Sequence, residues 1–123
     1  MYIEQTDDTP FIIIEEEQGF ILFKGKSIAV YANSFYNPLL QKIEKYVNKK
    51  PSDTKVIIDL EYFNTISSRI ILEMFKILKQ LVKKGFYLKI DWYYDEDDEN
   101  MLDCGQDFKD ILGDIPFNLI VKK

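Results

Sequence analysis

A short polar segment between two aliphatic runs holds the residues best suited to chemistry. It reads EYFNTISSR, follows the run KVIIDL, and contains Asn64, Thr65, Ser67 and Ser68 within five positions. Such side chains accept hydrogen bonds from the unpaired amides of a helix N-terminus, so one of them is expected to cap the next helix. One cap needs one residue. The surplus hydroxyls are candidates for phosphorylation, because a phosphoryl group there would lie in the positive field of the helix N-terminus.

An acidic run is the second candidate, and its residues are Asp95, Glu96, Asp97, Asp98 and Glu99. Clustered carboxylates suit hard cations, but the calcium-loop template fails, because its required glycine and glutamate positions hold asparagine and glutamine. The simpler interpretation is that Asp97 or Asp98 caps a third helix whose dipole the other acids complement. A partner-binding acidic surface and, less favoured, the metal site of a hydrolase are the alternatives.

Two aromatic residues, Tyr93 and Tyr94, precede the acidic run. Exposed aromatic side chains are enriched at interface hot spots, so these tyrosines, with Asp95, Asp97 and Asp98, are candidate partner-binding residues. They would equally well cover the end of a sheet. Cys104 lies beside Asp103, and a neighbouring carboxylate raises a thiol pKa, so we interpret Cys104 as a small core residue and not as a nucleophile.

The composition argues against the common enzyme classes. The 123-residue chain has no histidine, which removes the most frequent general base and metal ligand, and its five glycines are too scattered for a phosphate-binding loop. We therefore expect a protein that is not an enzyme and that needs no cofactor or metal. The net charge of −5 disfavours nucleic acid and anionic lipid as partners.

The length is typical of one compact domain, expected over residues 1–123. A lone cysteine, no apolar run near the roughly 20 residues that cross a bilayer, and no basic, apolar leader at the N-terminus favour a cytoplasmic protein that does not enter the membrane.

Periodicity and turn residues predict an α/β fold. The KVIIDL run is nearly all aliphatic, as in a central strand that is covered on both faces. Asn33 or Ser34 is expected to cap the first helix. Short strand–helix–strand connections require a mostly parallel sheet, and the opening hairpin adds an antiparallel strand, giving a mixed sheet of about five strands with about three helices packed on it. The predicted strands span 11–15, 20–24, 55–60, 86–93 and 117–121, and the predicted helices span about 35–48, 66–84 and 99–112.

This order of elements resembles the STAS domain, in which a hydroxyl residue after the central strand is phosphorylated. EYFNTISSR, DWYYDEDDENML and DIPFNLIV, with the TPFIIIE opening and FYNPLL, are more specifically similar to the SiaC family of regulatory phosphoproteins. The resemblance covers nearly the whole chain. It implies that Thr65 is the phosphorylated residue, with Asn64, Ser67 and Ser68 around it, while Ile66 stands where the family motif has a serine.

The same resemblance implies a function and partners. The expected protein is the non-catalytic member of a bacterial partner-switching system in cyclic di-GMP signalling and biofilm regulation. Its expected partners are a kinase with a histidine-kinase-like ATP-binding fold, a PP2C-type phosphatase, and a diguanylate cyclase or other target that the unphosphorylated protein binds. A small-ligand-binding STAS-like module is the alternative, beside the hydrolase mentioned above.

Overall fold

The fold is a six-stranded mixed sheet with three helices, described here by a computed structural model that covers residues 1–123. The strands are β1 (Tyr2–Ile3), β2 (Phe11–Glu15), β3 (Phe20–Ser27), β4 (Thr54–Phe63), β5 (Leu88–Asp95) and β6 (Phe117–Lys122), and the helices are α1 (Ala32–Lys49), α2 (Thr65–Lys83) and α3 (Glu99–Leu112). The predicted α/β class and the predicted elements are confirmed. The sequence missed only the two-residue β1.

The sheet keeps the strands in chain order, from β1 to β6. The β1–β2 and β2–β3 pairs are antiparallel, and the remaining three pairs are parallel. Each parallel connection therefore steps in the same direction across the sheet. Because such connections are right-handed, all three helices lie on one face of the sheet.

The burial of the central strand corrects one prediction. Val56, Ile58 and Leu60 of β4 are buried, whereas Ile57 is half-buried and Lys55 is exposed. The prediction that this strand is covered on both faces was wrong, because strands in chain order leave the second face without a helix. The core lies between the helices and the covered face, and it is a single cluster of 28 buried hydrophobic residues.

The start of α1 corrects a second prediction. Neither Asn33 nor Ser34 caps this helix. The N-cap position is Tyr31, without a side-chain cap, and both predicted residues lie inside the first turn. Ala32, the first helical residue, is fully buried. Packing of Ala32 against the core therefore sets the start of this helix, in place of a local side-chain hydrogen bond.

Strand β4 runs three residues further than predicted, so its last residues are the EYF of the EYFNTISSR segment. Its register with β3 skips one residue, because Gly25 pairs with Leu60 and Lys26 pairs with Tyr62. The extra residue is Glu61, and such a bulge changes which face the later residues present. Phe63 accordingly packs edge-on against Trp92 under the helices, with ring centroids 5.9 Å apart.

Candidate functional site

The candidate site lies at the edge of the sheet where the four parallel strands end. Helices α1, α2 and α3 follow strands β3, β4 and β5 respectively. Because these strands are parallel, their carboxyl ends and the helix N-termini meet at one edge, which is where sites on open α/β sheets lie. We call this edge the carboxyl edge. It holds both segments that the sequence singled out.

Asn64 is the cap of α2. Its backbone is extended, and its Oδ1 accepts a hydrogen bond from the amide of Ser67 at 2.9 Å. Its Nδ2 donates to the carbonyl of Ala29 at 3.4 Å, and its backbone amide donates to the carbonyl of Ser27 at 3.1 Å. Asn64 therefore also holds the end of β3 and the loop after it against the start of α2.

Ser67 belongs to a buried chain of hydroxyl groups. Its Oγ donates to the carbonyl of Ser27 at 2.8 Å and accepts from Ser27 Oγ at 2.8 Å. Since the Ser27 hydroxyl proton is used in that bond, the 2.6 Å contact between Ser27 Oγ and Tyr36 must have the tyrosine hydroxyl as donor. Ser67 is completely buried, so no kinase reaches it in the folded protein.

Burial raises the pKa of Tyr36 to about 12, and its hydrogen bond to Ser27 only partly offsets that effect. The hydrogen bonds from Tyr36 through Ser27 to Ser67 therefore form an uncharged network that links α1, β3 and α2. Tyr36 and Ser27 were not recognised from the sequence, because Ser27 and Ser67 are 40 residues apart and nothing in either local pattern pairs them.

Thr65 is the exposed residue among the threonine and two serines of the segment. It is the first residue of α2, and its side chain makes no hydrogen bond, while Ser68 is half-buried. The first turn of α2 has no acidic residue, and Asn64 caps the amide of Ser67 only, so the neighbouring amides have no partner within the helix. This end of α2 is therefore positive and open to solvent, with the Thr65 hydroxyl beside it.

Two residues of the acidic run make contacts that stabilise the fold. Asp98 caps α3, since its Oδ1 accepts from the amide of Met101 at 3.0 Å, as the sequence predicted for Asp97 or Asp98. Asp95 lies 3.8 Å from Lys122 Nζ, which also contacts Asp59 at 2.7 Å. No group of three His, Cys, Asp or Glu side chains is arranged to hold a metal ion.

Lys122 connects these acids to the end of β4. Burial by itself would lower the pKa of Lys122, but the hydrogen bond and charge of Asp59, with the charges of Asp95 and Glu61, raise that pKa on balance. Asp59, Glu61 and Asp95 therefore surround one lysine. The acidic run and the EYFNTISSR segment lie at the same edge of the sheet, on adjacent strands.

Tyr93 and Tyr94 are both half-buried at the end of β5. Tyr94 packs against the core, and Tyr93 alternates with it to the uncovered face. Their partial burial is more consistent with packing over the end of the sheet than with a fully exposed binding patch. Cys104 packs against the core, and burial together with Asp107, Asp103 and Asp98 raises the pKa of its thiol.

Three exposed apolar residues on the segments that meet at the start of α2 were not recognised from the sequence. They are Val30, Tyr31 and Tyr62, which are 79%, 80% and 61% exposed. The one signal was the connection SIAVYANS, which is more apolar than a solvent-exposed loop normally is.

The fold and the site together define a class, namely an α/β domain with a six-stranded mixed sheet and an exposed threonine at the start of the helix that follows β4. The model of the family described as SiaC family regulatory phosphoprotein matches residues 3–122. The chain therefore belongs to the SiaC family of regulatory phosphoproteins, as its sequence motifs had indicated.

Solved structures agree with this fold. The chain matches a chain of the crystal structure of the Pseudomonas aeruginosa diguanylate cyclase SiaD in complex with its activator SiaC, with a TM-score of 0.91, 19% identity and 99% of each chain covered. Apo-SiaC from the same organism gives a TM-score of 0.84 and 19% identity, over 100% of this chain and 98% of that one. An uncharacterized protein of P. aeruginosa strain UCBPP-PA14 is 19% identical over 110 residues, which are 89% of this chain and 87% of the relative.

No helix of the chain has both the length and the apolar content that crossing a membrane requires.

Proposed function

We propose that this chain is a non-catalytic phospho-switch in which reversible phosphorylation of Thr65 controls binding to a diguanylate cyclase. The observation that carries the proposal is that the polar residues at the start of α2 differ in their roles. Asn64 caps the helix, Ser67 is buried, Ser68 is half-buried, and Thr65 is the serine or threonine whose side chain is exposed. Family membership and the P. aeruginosa complex of SiaD with its activator SiaC support the choice of target.

The environment of Thr65 suits a phosphoryl group. The group would add a charge of about −2 beside the positive end of α2, where free amides stabilise it. Arg69 is exposed, forms no ion pair, and follows Thr65 by four residues, so it lies one helical turn away on the same side of α2. Phosphorylation therefore leaves the fold intact and changes only the surface.

The expected consequence is loss of the target. A dianion buried in a protein interface costs several kcal/mol of desolvation and repulsion where the partner provides no positive charge opposite it, and each 1.4 kcal/mol is a factor of about ten in affinity. The unphosphorylated chain would therefore bind and activate the cyclase, and the phosphorylated chain would release it. The kinase has a histidine-kinase-like ATP-binding fold in this proposal, and a PP2C-type phosphatase reverses its action.

The test combines site mapping with binding. The chain is incubated with the kinase of the same organism and ATP, its phosphopeptides are mapped, and cyclase binding is measured by calorimetry before and after. We expect phosphate on Thr65, none on a Thr65→Ala variant, and binding at least ten-fold weaker after modification. Ser68→Ala is the matched control and should behave as the wild type. Modification elsewhere, or equal binding by both forms, would refute the proposal.

A second candidate function, binding of a small ligand, has one observation in its favour. An apolar cleft of about 370 Å³ lies at the opposite edge of the sheet, lined by Val82 and Leu112 at the ends of α2 and α3 and by Phe86 and Ile115 in the loops that follow them. Native mass spectrometry of the purified chain tests this candidate, since a ligand held there would add mass that denaturation removes.

A further inference from the structure

Four exposed apolar side chains lie on the two segments that meet at the start of α2, beside Thr65. Val30 and Tyr31 are 79% and 80% exposed, Tyr62 is 61% exposed, and Ile66 is 37% exposed. Tyr62 and Ile66 flank Thr65 in the chain. Val30 and Tyr31 follow Ala29, whose carbonyl accepts the hydrogen bond from the Asn64 side chain, so the fold brings them to the same place. We call these four residues the apolar edge patch.

The patch has an acidic border on the side of β5. Glu61 is exposed next to Tyr62, and it lies close enough to Lys122 to raise the pKa of that lysine. Lys122 in turn contacts Asp95, and one concave surface is lined by the four acids Asp95, Glu96, Asp97 and Asp98 together with Lys122 and Lys123. Glu96 and Asp97 on that surface are exposed and form no ion pair.

From this arrangement we infer that the apolar edge patch is the surface on which the target protein docks. The partner segment would place apolar side chains on Tyr31, Tyr62 and Ile66, and lysine or arginine side chains against Glu61, Glu96 and Asp97. The inference rests on the proposed function, and it adds the surface and the chemistry of the segment that binds there.

The charge pattern selects this occupant. Aromatic anchors at the centre of an interface contribute most of the binding energy, and the surrounding charges set the partner and its orientation. The acids at the border are exposed and the chain carries a net charge of −5, so a basic segment is attracted and an acidic one is repelled.

The position of Thr65 within the patch gives the switch its physical basis. A phosphoryl group on Thr65 would stand next to Ile66 and beside the segments that carry Tyr31 and Tyr62, where the partner of this inference presents apolar side chains that cannot solvate a dianion. The basic residues of the partner would lie at the border with Glu61, away from the phosphate. Ile66, which is 37% exposed, adds an apolar side chain directly next to Thr65.

The test measures binding of the unphosphorylated chain to the diguanylate cyclase of the same organism by calorimetry. Tyr31→Ala and Tyr62→Ala should each weaken binding at least five-fold, and the double variant more than twenty-fold. Tyr87→Ala is the matched control, since Tyr87 is 54% exposed but lies at the opposite edge of the sheet. All three side chains exchanged are exposed, and circular dichroism checks that each variant folds.

A charge-reversal pair tests the basic side of the partner. Glu96→Lys with Asp97→Lys should weaken binding about ten-fold at low salt and less at high salt, whereas Glu44→Lys on the exposed side of α1 should change it less than two-fold. Tighter binding after the reversal would show an acidic partner segment and overturn the inference.

The outcomes separate this inference from the proposed function. If phosphorylation of the wild type abolishes cyclase binding but the tyrosine variants bind normally, the surface assignment is wrong and the switch stands. If the variants bind normally but the kinase no longer modifies them, the patch is the kinase's docking site and the inference is overturned. If phosphorylation leaves wild-type binding unchanged, the proposed function fails whatever the variants do.

Discussion

Replacing Ser67 with alanine tests whether the buried hydroxyl chain holds the start of α2 in place. The substitution removes the hydroxyl that donates to the carbonyl of Ser27 at 2.8 Å and accepts from Ser27 Oγ at 2.8 Å. The carbonyl keeps the amide of Asn64 as a donor at 3.1 Å. The hydroxyl protons of Ser27 and Tyr36 then have only each other's oxygens as acceptors, so one of the two is left unpaired inside the core.

The magnitude follows from that count. Two hydrogen bonds contribute about 1 kcal/mol each, and an unpaired buried donor costs about 1–3 kcal/mol, part of which overlaps with the first term. We therefore expect Ser67→Ala to lower the free energy of unfolding by about 2–3 kcal/mol. Ser68→Ala makes the same chemical change one residue later, at a half-buried side chain without hydrogen bonds, and should change stability by less than about 0.5 kcal/mol.

Urea unfolding followed by tryptophan fluorescence measures both variants, and Trp92 is the single reporter. With a slope of about 1.5–2 kcal/mol/M for a domain of this size, the Ser67→Ala midpoint should fall by about 1–2 M, and the Ser68→Ala midpoint should hardly move. The helix propensity gained by each alanine cancels in the comparison. Two variants within about 0.5 kcal/mol of each other would refute the structural role given to this hydroxyl chain.

Three further predictions concern the core. The pKa of Tyr36 is about 12 in the folded protein and near 10 in the unfolded chain, so its contribution to the free energy of unfolding is complete below pH 10 and is lost as the pH rises towards 12. Between pH 9 and pH 11 the free energy of unfolding of the wild type should therefore fall by about 1 kcal/mol more than that of Tyr36→Phe. Parallel pH profiles of the two proteins would contradict this prediction. Cys104, whose thiol pKa is raised, should react with iodoacetamide at pH 8 at least several-fold more slowly than free cysteine, and an equal rate would contradict the burial described above. Gly105→Ala would place a Cβ 2.6 Å from Trp92 Cδ1, so it should lower the free energy of unfolding by about 1–2 kcal/mol, although alanine favours helices more than glycine does. A raised melting temperature would contradict this prediction and show that Trp92 moves aside freely.

The elements themselves were well predicted from the sequence. The predicted starts of α2 and α3 lie within one residue of the observed ones, because each helix has a strong apolar period and a preceding side chain that caps it. Those signals are local, since a cap and its amide are three residues apart. The start of α1 was predicted three residues late, because it depends on the burial of Ala32 and not on a cap.

The site was only partly predictable. The surplus of hydroxyls at the end of a strand indicated a site, and the family motifs chose Thr65 among them. Neither signal contained the apolar edge patch, because the loop that carries Val30 and Tyr31 is held beside Asn64 by a hydrogen bond between residues 35 positions apart. The same limit applies to the uncovered face of the sheet, which follows from the spatial order of the strands.

The sequence by itself determined which elements form, in what order, and which short segment carries the hydroxyls, since periodicity, caps and turn residues act over a few positions. Only the tertiary structure decided what each hydroxyl does. Ser67 is buried because α2 packs its first turn on β3, where Ser27 meets it, and Thr65 is exposed because it lies two residues earlier on the other side of the same turn. The two side chains are separated by a rotation of about 200° around the helix axis, which is why Ser67 is buried and Thr65 is accessible. The direction of that helix is set by contacts between residues far apart in the chain.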